Sequence, residues 1–500
     1  MKPTFEKPSK EVSERMKRVK SRDTSIEREM ENALKDLNIE YERQPKLIGR
    51  PDFRIKKTNV LIFCDSSFWH GRREEEVSGR AFKRNKEFWV NKIVENQKRD
   101  RRTNLKLRRS GWSVQRFWDS DITKKPDKVK RRLVRILEGT RMEGMTAIDL
   151  YCGAGGLTHG LKRAGFKVVA GVEIDDEIAK TYKANHPDTK LITKDVREVT
   201  GKEILEATGL KKIDLVAGCP PCQGFSSLTS KYKKDDPRND LVLEMARVIE
   251  ELRPEMVMME NVSGITNRGK PILDEFVSRL ESLGYVVNMG VLQMADYGVP
   301  QSRKRFILLA GKGFHIEFPK KINSREGDER KNLKPWLKLE DVIRDMKKPL
   351  TVSEATKSGS PKKVNWHVVG DLQEISIKRL KALEAGKNRT SLPKELRPEC
   401  HKKSDKGFSN VYGRLSWDQV PPTITSGFTT PAMGRFGHPD EIRTISVREA
   451  AMIQSFPKYY KFETGFIKTA CNLIGNALPP KFAEKAAKAC LKAFFHEGSS

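Results

Sequence analysis

Residues 218–226 hold the side chains best suited to covalent chemistry. They read Gly-Cys-Pro-Pro-Cys-Gln-Gly-Phe-Ser and directly follow residues 213–217, an apolar run with strand character. Two consecutive prolines exclude a helix, so Cys222 lies on a stiff loop after a strand, and a thiol presented in this way is a candidate nucleophile. Cys219 and Cys222 also form a CxxC pair. This leaves a zinc or redox site open, although no second CxxC or nearby His completes a tetrahedral set of ligands.

A glycine-rich turn predicts a nucleoside pocket. Residues 151–157 read Tyr-Cys-Gly-Ala-Gly-Gly-Leu after a short apolar segment, and Gly153 and Gly155 would let the backbone come close to a ligand. The next apolar segment, residues 168–172, ends at Glu173, about twenty residues after the glycines, where a carboxylate can bind ribose hydroxyls. Such a turn alone also occurs without a ligand, but its combination with Glu173 favours the pocket.

Two further polar groups follow predicted strands. Asp195 comes after residues 191–193, and Glu260 comes after residues 256–259. Strands alternate with helices from residue 146 onward, which predicts a doubly wound, Rossmann-like parallel sheet that binds ligands at the carboxyl ends of its strands. We therefore expect the thiol, the carboxylates and the nucleoside pocket at one sheet edge. A lone loop Asp is also a common cap or turn residue, so Asp195 keeps that alternative.

A second set of reactive residues lies near the start of the chain. Asp52 precedes a short strand, and the apolar run 60–63 is followed by Cys-Asp-Ser-Ser-Phe-Trp-His, residues 64–70. Two adjacent strands would bring Asp52 and Asp65 together beside His70. Paired carboxylates can hold Mg²⁺, which polarises a phosphate and activates water, so a hydrolytic site is one interpretation. Ordinary turn or surface residues are the other.

The charge of the chain indicates a nucleic-acid partner. The net charge is +30 and the pI is near 9.7, and such a field attracts phosphate backbones. Residues 1–141 hold 39 Lys and Arg against 22 Asp and Glu, a surplus of 17. We expect double-stranded DNA as the partner, bound by a monomer.

The cysteines and the apolar runs indicate in which cellular compartment the protein is found. Seven scattered cysteines form no secreted disulfide framework, and the polar start Met-Lys-Pro-Thr lacks the apolar core of a signal peptide. No apolar run approaches the ~20 residues of a membrane span, so no membrane partner is expected. The sequence predicts a reducing, cytoplasmic location.

The order of motifs from residue 146 to about residue 490 resembles that of the DNA (cytosine-5)-methyltransferases. The motifs are residues 149–156 (DLYCGAGG), Glu173, Asp195, 220–223 (PPCQ), 260–262 (ENV), 301–305 (QSRKR), 448–451 (REAA), 454–457 (QSFP) and 475–480 (GNALPP). The resemblance implies that S-adenosylmethionine is bound by Tyr151, Gly153, Gly155, Glu173, Asp195, Leu241 and Asn476. It implies that the cytosine is handled by Cys222, Glu260, Arg303 and Arg305.

The chemistry explains these residue types. Carbon 5 of cytosine is a poor nucleophile, so a Cys222 thiolate adds to carbon 6 and makes an enamine-like ring that can accept a methyl group. Glu260 would bind ring N3 and the exocyclic amine, and the two arginines would supply positive charge near the base oxygen and the phosphates. An Arg-x-Arg pair in a basic protein is also typical of a solvated face. The target base must be flipped out of the duplex stack.

The first 140 residues resemble the very-short-patch repair (Vsr) endonucleases. The shared motifs are residues 51–53 (PDF), 68–70 (FWH), 87–89 (EFW), 99–102 (RDRR), 111–114 (GWSV) and Trp118. The resemblance implies that Asp52 binds the catalytic metal and that Glu27 and His70 assist. It also implies aromatic wedges that enter DNA beside a T:G mismatch, for which the candidates are Phe68, Trp69 and Trp89.

This segment departs from the Vsr pattern in two places. Asp65 stands where the family has a histidine, and it restores the carboxylate of the broader PD-(D/E)xK nucleases, so Asp52 and Asp65 are the expected Mg²⁺ ligands. The cysteines of the family's structural zinc site are replaced, for example by Ser67 and Ser120. No zinc is therefore expected.

The predicted fold class is α/β, with a PD-(D/E)xK-like nuclease domain followed by a doubly wound methyltransferase domain and a smaller target-recognition domain. The predicted boundaries are 1–140 for the Vsr-like domain, 145–310 for the cofactor-binding domain, 311–440 for target recognition and 441–500 for the part that completes the methyltransferase. Between residues 311 and 440 the strand–helix rhythm stops. Residues 481–496 predict a helix whose apolar stripe packs within the protein.

The predicted function is methyl transfer from S-adenosylmethionine to carbon 5 of a flipped cytosine in a specific DNA sequence, fused to an endonuclease that nicks T:G mismatches. One alternative is a restriction-modification fusion whose nuclease half cuts unmethylated DNA. The other is an N-terminal module that only binds DNA.

Overall fold

The computed structural model describes residues 24–56, 58–70, 86–142, 144–221, 240–402 and 410–497. The chain divides into two compact units, with the boundary between residues 143 and 144. No helix in these described ranges is long and apolar enough to cross a membrane. Cys222 lies outside the described residues.

Four strands form a sheet in the described part of the first unit. They are β1 (Tyr41–Arg43), β2 (Phe53–Ile55), β3 (Val60–Asp65) and β4 (Ser113–Trp118). The helices are α1 (Ser25–Asp36), α2 (Ser67–His70), α3 (Lys86–Arg109), α4 (Asp119–Lys124) and α5 (Pro126–Met142). The strands lie in the order β1-β2-β3-β4, with two antiparallel pairs followed by a parallel pair between β3 and β4.

Residues 60–63 of β3 are all apolar, as expected for a strand that helices cover on both faces. Ile62 belongs to the same buried cluster as Met30 and Leu34 of α1. Leu61, on the opposite face, packs with Leu107 of α3. Side chains alternate between the two faces of a strand, so a strand in the middle layer reads as a continuous apolar run.

The second unit is built on a larger mixed sheet. Its strands are β5 (Thr146–Leu150), β6 (Lys167–Val172), β7 (Lys190–Ile192), β8 (Leu215–Gly218), β9 (Met256–Val262), β10 (Tyr285–Gln293) and β11 (Lys304–Lys312). The intervening helices are α6 (Gly156–Ala164), α7 (Asp176–Asn185), α8 (Gly201–Thr208), α9 (Leu241–Leu252) and α10 (Lys270–Ser282). These strands lie in the order β10-β11-β9-β8-β5-β6-β7, and β11 runs antiparallel to both neighbours. The predicted Rossmann-like sheet is confirmed.

The strand register aligns the ends of the parallel strands. Leu150 of β5 pairs with Gly218 of β8 on one side and with Val172 of β6 on the other. Gly218 pairs in turn with Met259 of β9. The next residues along these strands, including Glu173 and Glu260, therefore lie along one sheet edge. The sheet reverses its winding at β5, which is where such folds bind ligands.

Residues 313–437 contain only short strands and helices in their described part. The strands form three two-residue or three-residue pairs, β12 (Asn323–Ser324) with β13 (Lys334–Pro335), β14 (Leu350–Thr351) with β15 (Val368–Val369), and β16 (Gly413–Arg414) with β17 (Arg435–Gly437). The helices are α11 (Glu340–Ile343), α12 (Val352–Lys357) and α13 (Glu374–Lys381). Apolar residues of α11, α12, β15 and β17 share one buried cluster with α14 (Val447–Ile453) and α15 (Ile467–Gly475).

The final helix packs on the sheet-bearing half of the unit. Helix α16 (Pro480–Glu497) crosses α6 where Gly160 faces Ala483, and a Cβ on Gly160 would lie 2.4 Å from the Ala483 Cβ. The glycine therefore permits a close helix–helix approach. Phe482, Ala486 and Cys490 of α16 are fully buried, so its apolar stripe is covered by the protein itself.

Candidate active sites

A cavity of about 730 Å³ opens at the carboxyl edge of the larger sheet. The candidate residues that line it are Tyr151, Gly153, Glu173, Asp195, Leu241, Glu260, Arg305 and Asn476. Cys219, Pro220 and Pro221 also line it, and they immediately precede Cys222 in the chain. The structure thus brings most of the residues expected for the cofactor and the cytosine to one cavity. Gly155 and Arg303 are the described candidates that do not line it.

Glu173 is fixed beside the glycine-rich turn. One carboxylate oxygen, Oε2, accepts a hydrogen bond from the Gly153 backbone N–H at 3.0 Å, and Oε1 accepts one from the Asp175 N–H at 3.0 Å. Burial raises the pKa of the Glu173 carboxyl, and the two backbone N–H groups oppose that rise. The side chain is therefore oriented before any ligand arrives, which is what a ribose-binding carboxylate needs.

Two residues from distant parts of the chain hold the glycine-rich turn from behind. The Tyr460 hydroxyl donates to the Ala154 carbonyl at 2.5 Å, and His186 Nε2 lies 3.2 Å from the Gly155 carbonyl and 3.1 Å from the Tyr460 oxygen. Gly155 has φ +84°, and a Cβ there would lie 2.5 Å from His186 Nε2. The structure thus gives Gly155 a packing role. Neither His186 nor Tyr460 was identified from the sequence, where only the neighbouring motif 454–457 marks the region.

Tyr151 and Asp195 are tied to the walls of the cavity. The Tyr151 hydroxyl donates to the Leu241 carbonyl at 2.6 Å, which joins two of the expected cofactor residues. Asp195 caps a short helical turn, because its Oδ1 accepts from the Arg197 N–H at 3.0 Å. The capping role left open from the sequence is therefore present, and it coexists with a place in the cavity lining.

Glu260 and Arg305 form an ion pair at the other end of the cavity. Arg305 Nε lies 3.0 Å from Glu260 Oε1, and both residues line the cavity. Burial, reinforced by the Glu260 charge, raises the pKa of the Cys219 thiol, so this cysteine stays protonated. A buried carboxylate paired with a guanidinium can bind a base edge that offers both donors and acceptors.

Arg303 points into the protein instead of into the cavity. Its Nη1 donates to the Ile424 carbonyl at 2.9 Å, and its Nη2 donates to the Gly475 carbonyl at 3.1 Å. The side chain is 1% exposed. Ile424 and Gly475 both line the cavity, so Arg303 braces the wall from behind. This differs from the expected contact with the base, because the guanidinium finds its acceptors in two backbone carbonyls, one in the loop that contains Ile424 and one at the end of α15.

In the first unit, the predicted strand neighbours bring two carboxylates together. Asp52 Oδ2 accepts from the Cys64 N–H at 2.7 Å, one residue before Asp65. Burial raises the pKa of Asp52 to about 6, and the nearby charges of Glu27 and Asp65 add to the rise. Glu27 is 5% exposed and serves in the capping box of α1 with Thr24. These acids repel one another, so a cation among them would relieve the repulsion.

A histidine and a guanidinium complete this acidic cluster. His70 Nδ1 lies 2.5 Å from Asp100 Oδ2. Arg116 bridges two carboxylates, with Nη1 2.7 Å from Asp65 and Nη2 3.3 Å from Asp100. Burial alone would raise the pKa of Asp100, but His70 and Arg116 bring it below its usual value. The sequence indicated Asp100 only as part of a motif, and it gave no signal for Arg116, which reaches the cluster from β4.

The metal-binding capacity of the cluster rests on two carboxylates. Among the described residues, no group of three or more His, Cys, Asp and Glu side chains is arranged to hold a metal ion. Mg²⁺ usually keeps several waters and is bound through one or two protein carboxylates together with substrate phosphates. Asp52 and Asp65 fit that limited requirement, although one oxygen of Asp65 is already paired with Arg116.

The other residues of the first unit that the sequence analysis singled out are the candidate aromatic wedges and two serines. The ring centroids of Trp69 and Trp89 lie 5.6 Å apart, whereas the side chain of Phe68 lies outside the described part. Ser67 and Ser120, which stand at two positions where the Vsr pattern has zinc-binding cysteines, have their hydroxyls 3.2 Å apart. Ser67 also donates to Asp119. The two serines are thus neighbours that interact through hydrogen bonds.

Comparison with known families agrees with this division of the chain. Residues 145–492 match the family described as C-5 cytosine-specific DNA methylase. Residues 5–76 match the family described as DNA mismatch endonuclease Vsr. The second match covers Asp52, Asp65 and His70 but ends before α3.

Individual relatives resemble the second unit. Type II methylase M.HgiDII of Herpetosiphon aurantiacus is 36% identical over 347 residues, which cover 68% of this chain and 93% of that protein. Type II methyltransferase M.AgeI of Thalassovita gelatinovora is 30% identical, over 67% of this chain and 96% of that protein. A crystal structure of a DNA modification methyltransferase encoded within an E. coli prophage has a TM-score of 0.54 and 24% identity, and covers 71% of this chain and 100% of its own. The last likeness concerns the fold.

Proposed function

The chain belongs to the C-5 cytosine-specific DNA methylase family and acts on cytosine in DNA, and from this premise we propose which residues carry the reaction. The Cys222 thiolate attacks carbon 6 of a flipped-out cytosine, which makes carbon 5 nucleophilic. S-adenosylmethionine would supply an electrophilic methyl group to carbon 5 and leave as S-adenosylhomocysteine, whose sulfur keeps the electron pair of the broken bond. The carbon-5 proton then leaves to a base, the bond from sulfur to carbon 6 breaks, and the thiolate and the methylated base are released. Two observations support this proposal. The 220–223 motif stands in its expected place in the order of motifs along the chain, and Cys219, Pro220 and Pro221, which directly precede Cys222, line the cavity.

The ion pair of Glu260 and Arg305 orients the base. Glu260 holds ring N3 and the exocyclic amine, and Arg305 lies beside the same carboxylate, where a base oxygen can accept from it. Arg303 acts indirectly, because its guanidinium holds the wall that contains Ile424 and Gly475. The base must leave the stack to reach this site, and contacts elsewhere on the duplex must offset a few kcal/mol for that step.

The residues next to the glycine-rich turn would hold S-adenosylmethionine in that part of the cavity. Glu173 accepts from the ribose hydroxyls, and Gly153 lets the backbone approach the ligand. Tyr151, Asp195, Leu241 and Asn476 complete the walls. Residues 311–440 read the target sequence. Bisulfite sequencing of DNA from cells that express the protein tests the activity and gives the recognised site; DNA without new methylation would contradict the proposal.

The N-terminal unit is a Mg²⁺-dependent endonuclease that nicks DNA at T:G mismatches. Asp52 and Asp65 would hold the ion, which would polarise the phosphate, and His70, oriented by Asp100, would accept a proton from the attacking water. The observation that supports this proposal is the clustering of Asp52, Asp65 and His70, joined through Cys64, Arg116 and Asp100, within a segment whose first part matches the Vsr family. Deamination of 5-methylcytosine gives T opposite G, so a methylase that carries such a nuclease would repair damage that it makes more frequent.

Two alternatives make different predictions for cleavage. A restriction-modification fusion would cut fully paired, unmethylated duplex, and the type II relatives named above favour that alternative. A DNA-binding module without catalysis would cut no duplex. Cleavage assays on T:G, unmethylated and methylated duplexes separate the three. Nicking confined to the T:G duplex supports the proposal, and cleavage of the unmethylated duplex alone overturns it.

A further inference from the structure

Helix α3 presents two different faces in the first unit. One face holds the acidic cluster: Asp100 contacts His70, and the Gln97 side chain donates to the His70 carbonyl at 3.0 Å. Asn96 donates to the Trp69 carbonyl at 3.0 Å from the same face. Asn96, Gln97 and Asp100 are spaced so that they share one side of the helix, and this side of α3 packs against α2.

The neighbouring face of α3 lines a groove of about 410 Å³. The residues that line it are Ile48, Glu95, Lys98, Arg99, Arg102, Thr103 and Lys106. The far wall is pressed against the helix at Gly49, which has φ +80° and where a Cβ would lie 2.2 Å from the Thr103 methyl carbon. Only a glycine allows the loop to lie this close, so the groove is a formed feature with two fixed walls.

The groove has a strong excess of positive charge. It holds four cationic side chains and one acid, Glu95. Within the described part of the chain, Arg99 forms an ion pair with Asp100 at 4.0 Å. The Arg99 side chain is nevertheless 66% exposed. Lys98, Arg102 and Lys106 stand four residues apart, and like charges at that spacing destabilise a helix. An anionic partner would remove this cost.

We propose that this groove binds the phosphate backbone of duplex DNA and positions the duplex across the acidic cluster. From residue 98 to residue 106 the helix rises about 12 Å, which spans about three and a half of the 3.4 Å axial steps between successive phosphates of one strand. The α3 helix is about 10–12 Å wide with its side chains, so a backbone in the groove passes close to Asp100 and His70. The backbone contact stands alone, whereas its role in positioning rests on the proposed endonuclease function.

The shape of the groove favours a nucleic-acid backbone over an acidic peptide. The cations follow one line along the helix, as a regularly spaced row of phosphates requires. Ile48 is the single apolar residue among those that line it, and it is 50% exposed. A peptide would need apolar pockets for its side chains in addition to charge, since anchors in such pockets supply most of the affinity of protein interfaces. The groove offers charge without such pockets.

The test uses the full-length chain with two charges removed from the groove, Lys98→Gln with Arg102→Gln. The matched control removes two exposed charges from another side of α3, Arg101→Gln with Arg108→Gln. Gln keeps the helix propensity. Binding to a duplex with one T:G pair is measured at several salt concentrations. The slope of log affinity against log salt should become shallower by about 1.8 in the groove variant, because each phosphate contact contributes about 0.9. The control should keep the wild-type slope.

Two further measurements make the outcome decisive. A separate variant that preserves both charges, Lys98→Arg with Arg102→Lys, should show the wild-type slope. Circular dichroism should show unchanged helix content in all variants. An unchanged slope in the groove variant, or an equal loss in the control, overturns the proposal. If the slope becomes shallower but wild-type protein nicks no duplex, the groove stands and the endonuclease proposal fails. If wild type nicks and the groove variant nicks equally well at every salt concentration, the positioning role is overturned.

Discussion

The Tyr460 hydroxyl donates a 2.5 Å hydrogen bond to the carbonyl of Ala154, although 306 residues separate them in the sequence. The segment around Tyr460 is itself anchored, because Arg448 Nη2 donates to the Tyr460 carbonyl at 2.8 Å. The same segment is joined to α7, where the Asn185 side chain donates to the Lys461 carbonyl at 2.8 Å. The C-terminal part of the chain therefore fixes the glycine-rich turn from outside the cavity.

Tyr460→Phe should weaken S-adenosylmethionine binding about 2- to 12-fold while leaving the rate at saturating cofactor nearly unchanged. A net hydrogen bond contributes about 0.5–1.5 kcal/mol, and Tyr460 touches the turn without lining the cavity. Calorimetry and a separation of kcat from KM measure the effect. Tyr459→Phe is the matched control, because its side chain is 73% exposed. Equal affinity in wild type and both variants would contradict a role for Tyr460 in holding the turn.

His186 should make the second unit sensitive to acid. Burial, helped by the Lys162 charge, lowers the pKa of His186 to about 4 from 6.5. The folded state therefore binds this proton less tightly than the unfolded state, and the contribution to stability is present above pH 6.5 and is lost as the pH falls towards 4. Its size is about 3 kcal/mol, since one pKa unit corresponds to 1.36 kcal/mol.

His186→Gln should flatten this pH dependence between pH 6.5 and 4. Urea unfolding at several pH values measures it, and the transition that S-adenosylmethionine stabilises reports on this unit. A wild-type transition that loses no more stability than the variant on acidification would show that His186 is not the group responsible.

The parallel strands of the second unit, and the sheet edge at which their carboxyl ends meet, could be predicted from the sequence. The patterns that indicate them lie within single short segments. The apolar runs that end before Glu173 and Glu260 each lie in one strand, and parallel pairing alone brings their ends together. The direction of Arg303 could not be predicted in this way. Its acceptors at Ile424 and Gly475 lie more than a hundred residues away, and no periodicity in the sequence records such a contact.

The first unit shows the same limit. Asp52 and Asp65 were predicted to be neighbours because they flank strands that follow one another in the chain. Arg116 reaches Asp65 from β4, beyond a helix of 24 residues, and an arginine in a strand of a basic protein has no distinguishing local pattern. Its parallel pairing with β3 creates the contact.

Glu173→Ala should weaken S-adenosylmethionine binding by about 1.5–3 kcal/mol, or roughly 10- to 150-fold, through the loss of a charge-assisted hydrogen bond. The substitution also frees the Gly153 N–H, which Glu173 Oε2 now holds. Glu177→Ala is a useful comparison, since that residue carries the same charge on the adjacent helix α7 and does not line the cavity. Calorimetry decides, and unchanged affinity would place the ribose elsewhere.

Cys222→Ser should abolish methyl transfer and leave cofactor and DNA binding largely intact, because only the nucleophile is lost. A duplex with 5-fluorocytosine at the target should trap wild-type protein covalently, since fluorine cannot leave as the carbon-5 proton does. Cys219→Ser is the matched control and should still form the trapped complex, because burial keeps the Cys219 thiol protonated. A band shifted on a denaturing gel with Cys222→Ser would sink the assignment.

Asp52→Asn should abolish nicking of a T:G duplex in the presence of Mg²⁺ without loss of DNA binding. The amide keeps the shape of the side chain but removes the negative charge that holds the ion, whereas DNA contacts come from Lys and Arg. Asp36→Asn is the control, because Asp36 is an exposed acid on α1 that pairs with Lys130.

The raised pKa of Asp52 adds a test that does not depend on cleavage. Its pKa is about 6, so protons compete with Mg²⁺ for this carboxylate, and the affinity for the ion should fall as the pH drops through that value. Calorimetric titration of the full-length protein with Mg²⁺ at pH 5 and pH 7.5 measures the change, and Asp52→Asn should remove the stronger binding at the higher pH. If Asp52→Asn binds Mg²⁺ and nicks as wild type does, the metal lies elsewhere in the unit. If wild type binds Mg²⁺ at neither pH, the two carboxylates have structural roles, Asp65 as the partner of Arg116 and Asp52 as the acceptor of the Cys64 N–H.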